Sequence, residues 1–431
     1  MRINRGKYAL TNGIILNGQQ DMVPQTDKII LVSDKVIEAI VDKGQDISGY
    51  EVIDLRGQYI MPGLINLHVH LPASGKPQKK SSDPKKLAKL ITTNGLTNKI
   101  GVKMCMEFAR TELLSGVTTI RTVGGIANYD TIIRDRIAAG VVMGPRIIAS
   151  NMAVSVPGGH MAGSLAYEAK STEDAAHYVE VIAKDKPDLI KLMITGGVMD
   201  AEVVGEPGVL RMPAEYVKAA CDKAHALGMK VAAHVESPAG VQVALENGVD
   251  SIEHGANPTE ELMQIFKERQ AFQVSTISPA LPYALFDRSI SHATYEQQEN
   301  GKIVFQGIID MAKACLKNDI PVGLGTDTGC PYITHYDMWR ELVYFSKYCE
   351  VTPAFALYSA TLLNASLIGM DKSIGSIEEE KLADMIVCKK NPLEDLCALR
   401  NVTMVITEGT VIREPKVKKM PEVEQELDKF L

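Results

Sequence analysis

What this chain lacks narrows it first. No stretch of its 431 residues approaches the ~18 consecutive apolar residues a bilayer span requires, so a membrane-spanning helix is excluded. CxxC spacing is absent: the seven cysteines, at 105, 221, 315, 330, 349, 388 and 397, are scattered and odd in number. That argues against a disulfide framework and a thiolate zinc finger, and leaves buried, reduced thiols as the expectation. An excess of basic residues is missing too, and the net charge of −7 disfavours general affinity for nucleic acid or an anionic membrane. The opening "MRINRGKYALTNGIILNGQQ" carries early positive charge but no continuous apolar core and no small-residue cleavage site. No signal peptide is therefore expected, and the cytoplasm is the expected compartment.

What is present falls into two textures. Residues 1 to 60 read as short β-segments with hairpin signals at Asn12-Gly13 and Asn17-Gly18. The same texture returns in "GSIEEEKLADMIVCKKNP" and "VTMVITEGTVIREPKV" near the other end. Between them, Val-, Ile- and Thr-rich strands alternate with amphipathic helical stretches. Eight strand candidates can be counted: "YIMPGLINLHVHL", "GVTTIRTVGG", "PRIIASN", "LIKLMITGG", "KVAAHVES", "DSIEHGA", "QVSTISP" and "PVGLGTDTG". Their rhythm predicts an α/β fold, a (β/α)8 TIM barrel over residues 61–370. A doubly wound open sheet is the alternative, but no GxGxxG opens any of the helices. The ends, residues 1–60 and 371–431, are too short to be independent and are expected to pair as one small β-domain.

"GLINLHVHL", residues 63 to 71, sets His68 and His70 on one face of an apolar strand, where folding alone asks for no imidazole. Chemistry in such a barrel gathers at the C-terminal strand ends. Reading those ends gives His68 and His70 on the first strand, Lys191 on the fourth, His234 on the fifth, His254 on the sixth and Asp327 on the eighth. Each alone has an ordinary structural explanation, and His177, His225, His292 and His335 keep it, since they sit in helical or loop contexts. Six such groups at one end of five strands are hard to explain as separate accidents. Imidazoles and a carboxylate suit Zn²⁺ and similar divalent ions, and a catalytic site leaves a position open for water. A buried lysine loses its proton readily, and the neutral amine reacts with CO₂ to give a carbamate able to bridge two cations. Asp327 could bind one ion and act as general base toward water.

With these residues in view, the chain resembles the metal-dependent amidohydrolase superfamily, in the branch holding imidazolonepropionase and the Xaa-Pro dipeptidase (prolidase-like) or carboxypeptidase-like enzymes. The likeness runs nearly end to end, through "PGLINLHVH", "ELLSGVTTIRTVGG", "SVPGGHMAG", "IKLMITGGV", "DSIEHG", "GLGTDTG" and "GSIEEEKLADMIV". It implies a composite β-sandwich of both chain ends beside the barrel. It implies two divalent ions, expected to be Zn²⁺, with His68, His70 and Asp327 on the more buried one. Lys191, carboxylated by CO₂, would bridge to a second ion completed by His234 and His254. His160, in the loop after the third strand, would touch substrate or stabilise the transition state.

Three departures bear on the substrate. Arg121-Thr122 stands where the family commonly has Arg-Asp, with Arg121 still a candidate substrate contact. Glu236 replaces a tyrosine that often helps bind a substrate carboxylate, and its charge would favour a cationic or neutral group instead. Glu380-Lys381 replaces the usual Gly-Lys, which is expected to alter only a hairpin turn. The resulting expectation is a hydrolase cleaving an amide or peptide C–N bond of a small molecule of dipeptide or N-acyl amino acid type. A cyclic-amide hydrolase or deaminase is the rival, with Lys191 counting against a deaminase, and a non-catalytic metal-binding scaffold is a third reading. Two stretches stay outside that scheme. The basic run 74–89 is expected to be a solvated loop, with a substrate-attracting lid as its functional alternative. "YDMWRELVYFSKYC" is expected to pack on the barrel, with a subunit contact in a homo-oligomer as the alternative.

Overall fold

The computed structural model describes residues 6–77 and 84–431. Eight short strands mark the middle of the chain: β1 (Leu64–Val69), β2 (Val117–Thr122), β3 (Arg146–Ile148), β4 (Leu189–Met193), β5 (Lys230–Val235), β6 (Ser251–His254), β7 (Phe272–Ser275) and β8 (Val322–Leu324). The first three form one parallel sheet. The other five belong to a seven-stranded parallel sheet that also takes in Ala153–Ser155 and Ala166–Glu168. The two sheets meet at both edges, where the Asp188 amide donates to the Ala149 carbonyl at 2.7 Å and Val69 bridges Thr328. This is consistent with a TIM barrel.

These segments are strands because their Val-, Ile- and Leu-rich runs are buried on both faces, as parallel sheets require. In β4, LIKLM, every residue is buried, so Lys191 sits in the middle of an apolar strand, out of contact with bulk solvent. Register then sets heights: Met193 lies opposite His234, and Val235 opposite His254. Immediately after β5, the Ser237 hydroxyl caps the helix Pro238–Glu246 by accepting the Gly240 amide, with proline in its first turn. The chain must therefore turn at Glu236, at the barrel's C-terminal rim.

The terminal segments build two further sheets. One has four strands from the N-terminal end, in the order Val36–Asp42, Lys28–Ser33, Lys7–Thr11, Glu51–Asp54. The other mixes both ends: Thr410–Arg413, Met404–Thr407, Met385–Cys388, Tyr59–Pro62 and Ile14–Ile15. Leu10, Ile30 and Val32 of the first share one apolar core with Ile60, Met385 and Ile406 of the second.

Several expectations are refined. The first strand candidate divides at Gly63: Tyr59–Pro62 pairs with Met385–Cys388, and only Leu64–Val69 enters the barrel. The last residues are not sheet. Pro421–Leu427 is a helix that lies against the barrel, where Glu424 and Asp428 hold Arg340 at 3.1 and 2.7 Å. Arg340 and the buried Trp339 lie on the helix Met338–Cys349, so "YDMWRELVYFSKYC" packs inward as expected. Of the basic run 74–89, residues 78–83 lie outside the described residues, and 84–92 begin a helix. All seven cysteines are free, five of them buried. No helix among the described residues is long and apolar enough to cross a membrane.

Candidate metal centre

Six of the expected side chains converge at the C-terminal strand ends. His68 Nδ1 lies 2.8 Å from Glu253 Oε2, and His70 Nδ1 lies 2.7 Å from the Gly124 carbonyl. Both acceptors lack protons to give, so each Nδ1 must donate, which fixes the tautomer. In the neutral rings both Nε2 atoms are then bare lone pairs. They face Asp327 Oδ1 at 3.4 Å from His68 and 3.1 Å from His70. Acceptor thus faces acceptor, an arrangement that repels unless a cation lies between. Two ligands each ~2.1 Å from one tetrahedral ion stand roughly 3.4 Å apart, so the spacing fits a shared divalent ion.

Electrostatics point the same way. Burial, reinforced by nearby Lys191, lowers the His68 pKa to about 4, and burial holds those of His234 and His254 well below the ordinary value. Burial opposes the Asp327 carboxylate; positive charge on its His68 and His70 side outweighs burial and keeps the pKa well below the usual range, and with those rings neutral a bound cation would supply that charge. Lys191 Nζ is buried with no hydrogen-bond partner among the described residues, and burial brings its pKa down to about 8. An orphaned amine beside neutral imidazoles is what a cation or a carbamate would complete. His254 has Nδ1 on Thr276 Oγ1 at 2.6 Å, and His234 Nε2 donates to the Gly196 carbonyl at 3.2 Å. Potential ligand atoms of His68, His254 and Asp327 lie within 4.8 Å of one another, as do those of His234, Glu236 and His254. The donor sets fit divalent cations. His254 (φ 69°) and Asp327 (φ 54°) both hold left-handed backbone, the kind of strain that collects at functional sites.

His160 is brought to the centre, its ring stacked on His234 at 4.2 Å and its Nδ1 2.5 Å from Asp200 Oδ2. Gly197 makes room for this stack: a Cβ there would stand 3.0 Å from His160 Cε1 and 3.4 Å from His234 Cε1. Glu236 lies at the rim, its Oε2 accepting the Val198 amide at 3.0 Å. Burial, with Asp327 and Asp200 nearby, raises its pKa well above the ordinary value. Arg121 lies inside the barrel, donating to the Leu67 carbonyl at 2.7 Å, Ser251 Oγ at 3.1 Å and Glu253 Oε1 at 2.6 Å. Its place within β2, not beyond the strand's end, turns it inward. Sequence reasoning missed Glu253, which joins Arg121 to His68, and Thr276 and Asp200 behind His254 and His160. A signal for Glu253 existed, since a carboxylate in a fully buried strand demands a cation, and Arg121 offered one.

Residues 59–412 match the amidohydrolase family, and the members of that superfamily are generally metal-dependent. Ochratoxinase from Aspergillus niger is 24% identical over 438 residues, covering 94% of this chain and 86% of that one. Among solved structures, a candidate prolidase from Bifidobacterium longum is 33% identical with a TM-score of 0.87, covering 99% of each chain. A Xaa-Pro dipeptidase with methionine bound in its active site is 28% identical with a TM-score of 0.82, covering 95% of this chain and 100% of that one. The chain belongs to the amidohydrolase family and is a hydrolase acting on carbon–nitrogen bonds.

Proposed function

We propose that this enzyme cleaves the amide or peptide bond of a dipeptide or N-acyl amino acid with two divalent ions, Zn²⁺ foremost. The observation that carries the reading is the pair of bare Nε2 atoms turned on Asp327 Oδ1 at 3.4 and 3.1 Å. His68, His70 and Asp327 would hold the first ion. His234 and His254 would hold the second, with Lys191 as its carbamate bridging the two. Bound there, the ions would supply Lewis acidity, easing deprotonation of water and polarising the scissile carbonyl. The chain's own groups do the rest. Asp327 takes the proton of the attacking water at its carboxylate and passes it to the leaving nitrogen. His160, its Nδ1–H held by the Asp200 carboxylate, would donate an Nε2 proton to the carbonyl oxygen in its doubly protonated form. Glu253 and Arg121 keep His68 in the tautomer the site needs. The neighbouring dipeptidase with bound methionine supports an amino-acid-sized product. In this reading residues 61–370 are the hydrolase barrel, and 1–60 with 371–431 make a composite β-sandwich whose tail returns to the barrel.

The test is metal analysis of purified enzyme alongside a panel of dipeptides, N-acyl amino acids and cyclic ureides. About two ions per chain and turnover of a linear amide are expected. Fewer than about one ion per chain overturns the reading, and turnover of cyclic ureides alone replaces its substrate class.

A further inference from the structure

We infer that Glu236 is a ligand of the second ion, completing a His234–His254–Glu236 set; this rests on the two-ion reading above. The ligand atoms of these three residues lie within 4.8 Å of one another. His254 belongs to both candidate groups, yet it has one bare nitrogen, because Nδ1 is taken by Thr276 at 2.6 Å. It can therefore serve one ion. The first ion does not need it, since His70 Nε2 already lies 3.1 Å from Asp327 Oδ1. His234 gives its Nε2–H to Gly196, so Nδ1 is the nitrogen it has to offer.

Charge favours the carboxylate. Besides the carbamate the two ions would share, the first ion has Asp327 to itself, whereas His234 and His254 are both neutral donors. Two imidazoles and one carboxylate is a common set for divalent metals, and Glu236 is the carboxylate within reach. The side chain is also fixed in place. Its backbone N–H donates to Thr195 Oγ1 and its Oε2 accepts the Val198 amide, both at 3.0 Å. Gly208 presses on its carbonyl so closely that a Cβ there would stand 2.4 Å away. That hydrogen bond to Oε2 leaves Oε1 for a ligand. A second observation marks the same space as incomplete: Lys191 Nζ is buried among these residues without a partner. A Glu236 bound to an ion no longer presents a bare charge to substrate, so the pocket would admit a substrate carboxylate after all.

The experiment compares wild type with Glu236→Gln and Glu236→Asp, each loaded with Zn²⁺ and passed over a desalting column. Bound metal is read by mass spectrometry, and Co²⁺ titrations are followed by visible absorption. Wild type should retain about two ions. Glu236→Gln should retain about one, its second-ion affinity falling tenfold or more, with Glu236→Asp between. Equal melting temperatures of the chelated proteins establish that the variants fold. Two ions held equally tightly by Glu236→Gln, with only KM changed, overturn the inference and leave the two-ion reading standing. A wild type without a second ion overturns both.

Discussion

Two charge clusters in this molecule, one partly exposed and one buried, make a useful contrast. Where the C-terminal tail meets the barrel, opposite charges touch directly. Arg340 binds Asp337 at 3.0 Å, Glu424 at 3.1 Å and Asp428 at 2.7 Å, while Arg400 binds the same Glu424 and Asp428 at 2.6 and 2.8 Å. Both guanidiniums also lie over the Trp339 ring, at 4.4 and 5.3 Å. At the barrel's mouth the same kinds of group do not pair with one another: lone pairs face a carboxylate, and the Lys191 amine has no hydrogen-bond partner among the described residues. The floor beneath, Arg121–Glu253–His68, is fully paired and holds that open arrangement in place. The clamp pairs opposite charges within the chain, with Arg340 Nη1 left buried and without a hydrogen-bond partner among the described residues, whereas at the mouth imidazole lone pairs face a carboxylate.

Breaking the floor should have the largest effect. Glu253→Gln leaves Arg121 buried without its carboxylate, which costs about 3–5 kcal/mol in chelated protein by urea denaturation. It also weakens the hold on His68 Nδ1, so affinity for the first ion should fall by roughly 10–100-fold in a metal titration. Loss of stability with unchanged metal affinity would mean the floor supports only the fold.

Acid sharpens the contrast next. The unfolded chain protonates His68 near pH 6.5, and the folded chain only near 4, so between these values the unfolded state binds more protons. Stability of the chelated enzyme should therefore fall as pH drops from 6.5 toward 4, by about 3 kcal/mol from this residue. His68→Asn should flatten that slope in urea melts taken across the window, and an unflattened slope would assign it elsewhere.

The clamp should respond differently. Glu424→Gln removes one charge shared by Arg340 and Arg400, for a loss of about 1–2 kcal/mol. Thermal melting should shift while bound metal and kcat/KM stay at wild-type values. A change in metal content would join the two clusters that the geometry separates.

The same contrast explains what was legible in the sequence. Polar residues in or at the ends of apolar runs singled out His68, His70, Lys191, His234, His254 and Asp327, which the structure gathers at the C-terminal strand ends. A polar group in a run that must be buried is a signal that survives in one dimension. Glu253 was hidden by the strand's own alternation: if His254 faces inward, its neighbour should face out. The left-handed backbone at His254 breaks that rule and lets both point to the centre. The bonds Arg121 makes to Leu67, Ser251 and Glu253 were not legible, because the depth of a residue within a strand is not written in its local sequence. The clamp could not be read at all, since its four chain segments, 337–340, 400, 424 and 428, meet only after folding. The eight barrel strands, by contrast, were each short local runs built on Val, Ile or Leu.

The smallest expected effect tests what strain means in the two regions. Glu380 holds left-handed backbone, φ 69°, at an exposed turn where it replaces the glycine expected there. Its side chain makes no contact with the site. Glu380→Gly removes a steric cost of about 1 kcal/mol and adds back some flexibility to the unfolded chain, worth ~0.4–1 kcal/mol. The net should be a gain of about 0.5 kcal/mol or less in urea denaturation, with kcat/KM unmoved. His254 shares the same φ of 69° at the mouth, yet there the strained residue brings an imidazole to the centre. His254→Gly relieves the same strain and should still cost the second ion, read as bound metal. If Glu380→Gly instead altered metal content, backbone strain at the turn and at the mouth would be one coupled feature rather than two independent ones.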